Sequence, residues 1–108
     1  MTTRPELGHR IDANGIGTNY LDAGDGSPVV LVHGSGPGVS AFANWRLTIP
    51  DLATEHRVLA PDMAGFGLSE KPGEYSMERW VDQLDGFLTE LGLAKVSLVG
   101  NSFGGGLA

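Results

Sequence analysis

The sequence predicts an α/β fold, a mostly parallel sheet with flanking helices, on three observations. Short apolar runs rich in β-branched residues recur at positions 29–32, 58–60 and 96–99. Strands buried on both faces of a parallel sheet are continuously apolar in this way rather than alternating. A stretch of helical period separates the second run from the third, and alternation of strand and helix implies right-handed crossovers between parallel strands. Each run also leads into a glycine-containing loop, and in open α/β sheets ligands sit beyond the carboxyl ends of the strands.

Taken in order, residues 9–12 and 18–22 are early strands that suggest a hairpin. The second ends in AGDGSP, residues 23–28, which carries strong turn chemistry. The run 29–32 is the first buried strand, and a weaker helix follows over 41–52, interrupted by Pro50. After the strand at 58–60, Met77, Trp80, Val81, Leu84, Phe87, Leu88 and Leu91 repeat at spacings of three and four. Ser76 is the N-cap of this helix, Glu78 lies in its first turn and Gly92 terminates it. The third strand, 96–99, then enters GNSFGG. With no internal repeat and no low-complexity tract, the sequence indicates one domain.

The bulk properties narrow the function. The chain has 108 residues, 17 of them glycine and none cysteine, and a formal net charge of -6. Its seven basic residues are scattered, so it lacks the cationic footprint of a phosphate-backbone binder, and nucleic acid is not an expected partner. No apolar run approaches the roughly 20 residues that span a bilayer, and MTTRPELGHR has no apolar signal core. The expected setting is cytoplasmic, without membrane association. Absence of cysteine removes disulfides, thiolate metal sites and a cysteine nucleophile.

Gly100, Asn101, Ser102, Phe103 and Gly104 fit G-x-S-x-G between a strand and an incipient helix. A sharp turn there lifts the serine hydroxyl out of the sheet, and side chains at the flanking positions would collide with the neighbouring strand and helix. Ser102 is thus the candidate nucleophile. The amide of Phe103, at a helix N-terminus, is a candidate donor to the charge that develops when Ser102 attacks a carbonyl. The plainer alternative is a structural glycine turn. HGSGPG, after the strand at 29–32, contains neither G-x-G-x-x-G nor a P-loop, and Pro37 removes a backbone donor that a phosphate cradle would use. Its HG dipeptide matches the loop that supplies the second oxyanion donor in serine hydrolases with such sheets, which assigns that role to the Ser35 amide. None of His9, His33 and His56 is a convincing general base, since in this arrangement acid and histidine follow the serine. His33 and Asp62 are expected to order their own loops.

HGSGPGVSAFANW, PDMAGFGLSEKP and LVGNSFGGGLA together resemble the α/β-hydrolase superfamily and, within it, the meta-cleavage product hydrolases of the 2-hydroxymuconic semialdehyde hydrolase type. The resemblance runs over nearly the whole chain. HG with G-x-S-x-G marks the superfamily; GSGPGVSA, ANW and GNSFGG are similar to the narrower family. It implies an α/β-hydrolase fold, no cofactor and no metal. It also implies hydrolysis of a carbon–carbon bond in 2-hydroxy-6-oxo-dienoate ring-fission products of aromatic hydrocarbon catabolism. Ser102 is then the nucleophile, the Ser35 and Phe103 amides form the oxyanion hole, and Gly34, Asn44 and Asn101 contact the small-molecule substrate. For Asn44, a helix-surface or capping role stays open. Phe42 stands where the family more often has tryptophan, and Gly106 where it has alanine.

Such hydrolases continue past the nucleophile turn with more strands, a helical lid, the acid and the histidine. Residues 1–108 are therefore expected to be the N-terminal portion of a single domain, truncated after that turn and inactive alone, with a homo-oligomer possible at full length. A carboxylic ester or lactone hydrolase, and a hydrolase-like receptor that only binds its ligand, remain alternatives.

Overall fold

The computed structural model describes residues 6–93, 95–101 and 103–107. The chain runs β1 (His9–Ala13), β2 (Ile16–Ala23), β3 (Ser27–Val32), α1 (Ala41–Trp45), α2 (Ile49–Leu52), β4 (His56–Pro61), α3 (Met77–Glu90), β5 (Ser97–Gly100) and α4 (Phe103–Leu107). The five strands form one mixed sheet in the order β1-β2-β4-β3-β5. β4, β3 and β5 are parallel, with Val30 level with Leu59 on one side and Leu98 on the other. The β1–β2 hairpin joins antiparallel to the outer edge of β4.

The expected hairpin is present, and β2 is longer than residues 18–22. Asn14 and Gly15 both take positive φ, 50° and 87°. That pair turns a two-residue hairpin with the hand of twist the strands require. β3 and β4 extend the apolar runs at 29–32 and 58–60 by one to two residues at their ends.

Within the parallel strands, alternation divides the core. Val30, Val32 and Leu59 face Leu84 and Phe87 of α3 and Leu107 of α4. Val29, Leu31, Val58 and Ala60 face Ala41 of α1, with Trp45, Ile49 and Leu52 packed against them. The sheet is thus covered on both faces, which is what continuous apolar runs require.

Three expectations are modified. The stretch 41–52 is two short helices. The break falls at residues 46–48, and Pro50 lies in the first turn of α2, where its missing N–H costs nothing. In α3, Ser76 caps the N-terminus by accepting the Arg79 amide at 3.1 Å. Gly92, at φ 70°, closes the helix, with its own amide on the Thr89 carbonyl and that of Leu93 on Leu88, a Schellman arrangement. Yet only part of the apolar stripe is buried: Leu84 and Phe87 are inside, whereas Met77 and Val81 are exposed. β5 pairs with β3 alone among the described residues, and Leu98 and Val99 are exposed instead of buried on both faces. No helix among the described residues is long and apolar enough to cross a membrane.

Candidate active site

Three loops leave the carboxyl ends of the parallel strands: residues 33–40 after β3, residues 62–76 after β4, and the turn after β5. They meet over the end of β3. The Asn101 amide donates to the Val32 carbonyl at 3.0 Å, and the Gly104 amide donates to the Asn101 carbonyl at 2.9 Å, which closes the turn into α4. A Cβ on Gly104 would lie 2.2 Å from the Val32 carbonyl oxygen and 2.6 Å from that of His33. The need for glycine at this position is therefore met by backbone on β3, as the motif predicts. Ser102 lies outside the described residues. Phe103 is the first residue of α4, the position expected for an amide without a helical acceptor.

Asn44, on α1, joins the other two predicted contacts. Its Oδ1 accepts the Gly34 amide at 2.8 Å and the Asn101 Nδ2 at 3.0 Å. The structure therefore brings Gly34, Asn44 and Asn101 together, and it gives Asn44 a bridging role between loop and turn. The helix cap is supplied by Ser40, whose Oγ accepts the Ala43 amide. Ser35, the next residue of the loop, is exposed.

The loops owe their shape to two buried polar residues that sequence reasoning named as loop-ordering. His33 is fully buried, with Nδ1 2.6 Å from the Gly34 carbonyl and Nε2 2.9 Å from the Met63 amide. Its ring packs edge-on against Phe66 at 5.0 Å. Burial pushes its pKa below the usual imidazole value, against the opposing pull of the Gly34 carbonyl and the Asp62 charge. Asp62 accepts the Ala41 amide at 2.7 Å through Oδ1, and the Asn19 Nδ2 and Leu68 amide, each at 3.0 Å, through Oδ2. A buried carboxylate persists only when so many donors compensate its lost hydration. Neither group has the freedom of a general base. His56 opens β4 at the opposite end of the sheet, and His9 is on β1, three strands away from β3.

Sequence reasoning missed the support beneath the 62–70 loop. Gln83 is buried on α3, where Oε1 accepts the Ala64 amide at 2.8 Å and Nε2 donates to Thr18 Oγ1 at 3.0 Å. Ser69 accepts the Asn19 amide at 2.9 Å and donates to the Asp62 carbonyl. A glutamine beside an apolar stripe reads as solvated in sequence, and only its place one residue before Leu84 hints otherwise. Between residues 36–40 and 65–68 lies a groove of about 460 Å³, lined by Pro37, Val39, Phe66 and Leu68 among others. A larger concavity, about 740 Å³ on the outer face of α3, touches the strand-end loops only at Ser76, the N-cap of that helix. No group of three or more His, Asp or Glu side chains that could hold a metal ion comes together among the described residues.

Residues 27–108 match a protein family described as alpha/beta hydrolase fold. Over 106 residues the chain is 55% identical to the 2-hydroxymuconate semialdehyde hydrolase of Pseudomonas sp. (strain CF600), which covers 96% of this chain and 38% of that protein. It is likewise 55% identical over 105 residues to the 2-hydroxy-6-oxo-2,4-heptadienoate hydrolase of Pseudomonas putida F1, with 95% and 38% covered. Among solved structures, a serine-to-alanine variant of the meta-cleavage product hydrolase of Pseudomonas fluorescens IP01, complexed with acetates, superposes with a TM-score of 0.93. It is 55% identical, and the match covers 96% of this chain and 39% of that one. The chain thus spans well under half the length of these relatives.

Proposed function

The chain belongs to the alpha/beta hydrolase fold family, and from that membership we propose that its protein is a serine hydrolase of meta-cleavage products. It hydrolyses the carbon–carbon bond beside the 6-oxo carbonyl of a 2-hydroxy-6-oxo-dienoate formed in aromatic degradation. The observation that carries this reading is the joining of GNSFGG to HGSGPG through Asn44, in a chain 55% identical to two hydrolases of such compounds. The same reading takes residues 1–108 as a portion of one hydrolase domain acting in the cytoplasm on a small molecule, without nucleic-acid or membrane partners.

Ser102 is the nucleophile in this proposal. The substrate first tautomerises from dienol to ketone form, which places an electron sink next to the bond to be broken. Ser102 Oγ then adds to the distal carbonyl carbon, and the Ser35 and Phe103 amides receive the oxyanion. The carbon–carbon bond breaks when the oxyanion collapses, the electron pair leaving as a dienolate that is protonated, and water hydrolyses the acyl-serine left behind. Gly34, Asn44 and Asn101 line the dienoate end. The proton of Ser102 needs a base other than His33 or Asp62, whose atoms are committed to loop amides and carbonyls.

Stopped-flow absorbance of the full-length protein on 2-hydroxymuconic semialdehyde tests this. Ser102→Ala should nearly abolish cleavage while tautomerisation proceeds, because the latter needs proton transfer but no serine alkoxide. Cleavage within about tenfold of the parent, about 1.4 kcal/mol in barrier, refutes the nucleophile. Ester turnover without dienoate cleavage refutes the substrate class and favours an ester or lactone hydrolase; binding without turnover of either favours a receptor.

A further inference from the structure

Both peptide units flanking Gly34 are clasped by side chains. The Gly34 amide is held by Asn44 Oδ1 at 2.8 Å, and the Gly34 carbonyl lies 2.6 Å from His33 Nδ1. The second contact has a consequence beyond its own loop. A carbonyl only accepts, so Nδ1 must carry the proton. The Met63 amide only donates, so Nε2, 2.9 Å away, must be bare. The ring is therefore a neutral imidazole in one defined tautomer, packed against Phe66 and fully buried.

The Gly34 carbonyl and the Ser35 N–H belong to one planar peptide unit, and the chain has no cis peptide bond among the described residues. In a trans unit the C=O and N–H point in opposite directions. Fixing the carbonyl on the buried ring therefore fixes the Ser35 N–H outward, away from the ring. We infer that His33 is a positioning residue that aims the Ser35 amide at the developing oxyanion. This rests on the role proposed for Ser35 above. The ring also polarises that peptide, since a hydrogen bond to the carbonyl strengthens the N–H at its other end as a donor. Among the described residues, Asp62 is the charged group that acts on the ring, and its carboxylate is held by Ala41, Asn19 and Leu68.

Two substitutions in the full-length protein separate aiming from simple loop support. Asparagine reproduces a donor near the Nδ1 position and loses the Met63 acceptor; glutamine reproduces an acceptor near Nε2 and loses the donor to Gly34. If His33 aims the Ser35 amide, His33→Gln should lower kcat about a hundredfold, as small misplacement of a catalytic group does, with KM little changed. His33→Asn should stay within about tenfold of the parent. The reverse order, or two folded variants with equal kcat, overturns the inference. Imidazole ¹⁵N shifts of the unsubstituted protein provide a reading that needs neither variant folding nor turnover. A protonated Nδ1 with a bare Nε2 at pH 7.5 is expected, and an Nε2–H tautomer overturns the inference. A parent protein that cleaves neither dienoate nor aryl ester would count against the proposed function, while the tautomer would still decide whether the ring holds the Gly34 peptide as argued.

Discussion

Gly104 and Gly106 sit two residues apart in the same five-residue helix, and the structure assigns them opposite responses to one methyl group. At Gly104 an added Cβ would lie 2.2 Å from the Val32 carbonyl oxygen, 2.6 Å from that of His33 and 2.7 Å from the Val32 carbonyl carbon. These are backbone atoms of a buried strand and its exit, so relief requires α4 to back away by about 1 Å, given normal carbon contacts of roughly 3.5 Å. That shift would stretch the bonds from Asn101 to Val32 and from Gly104 to Asn101. Overpacking of this kind costs up to about 3 kcal/mol, and the gain in helix propensity returns about 1. Gly104→Ala should therefore destabilise by about 2 kcal/mol and, by moving the Phe103 amide, slow turnover. At Gly106 nothing lies within 4 Å of the added Cβ, and no positive φ stands in its way. Gly106→Ala should stabilise by about 0.5–1 kcal/mol. Urea unfolding of both variants of the full-length protein measures the gap, about 3 kcal/mol. Equal stabilities, or a more stable Gly104→Ala, would refute the claim that close approach to β3 is what demands glycine in the turn.

Asp62→Asn presents an amide hydrogen to at least one of three donors now held by the carboxylate. Because bonds to a charged acceptor contribute about 1.5–3 kcal/mol and an orphaned buried donor adds its own penalty, a loss of about 3 kcal/mol is expected in urea; a loss below about 1 would show that the loops hold without it. For His33, burial is the larger influence and lowers the pKa, so the folded protein binds fewer protons than the unfolded chain just below the ordinary value of about 6.5. The stability it contributes is complete above that value and falls as pH drops towards the folded pKa. Urea midpoints at pH 8 and pH 5.5 should decline more for the parent than for His33→Asn, and parallel declines would contradict the assignment.

The sequence alone determined the layered α/β plan, because burial on two faces imposes continuous apolar runs and burial on one face imposes the spacing of α3. It also determined the caps, Ser76 and Gly92, which act on neighbours three residues away or fewer, and the glycine at position 104 of the turn after β5. Periodicity overstated α3: Met77 and Val81 keep the spacing of the core stripe but are exposed, since what packs against a helix is settled by other parts of the chain. The sequence pattern puts the helix interruption at Pro50, whereas the break lies at residues 46–48, because proline cannot continue a helix but starts one equally well. Only the tertiary structure decided what Asn44, Gln83 and His33 do. Their partners lie between 1 and 65 positions away, and a polar side chain in sequence carries no mark of whether it will meet water or a buried amide. His33 shows this most clearly, because its tautomer is set by two backbone groups, one adjacent and one 30 residues distant, that only the packing of two loops brings to the same ring.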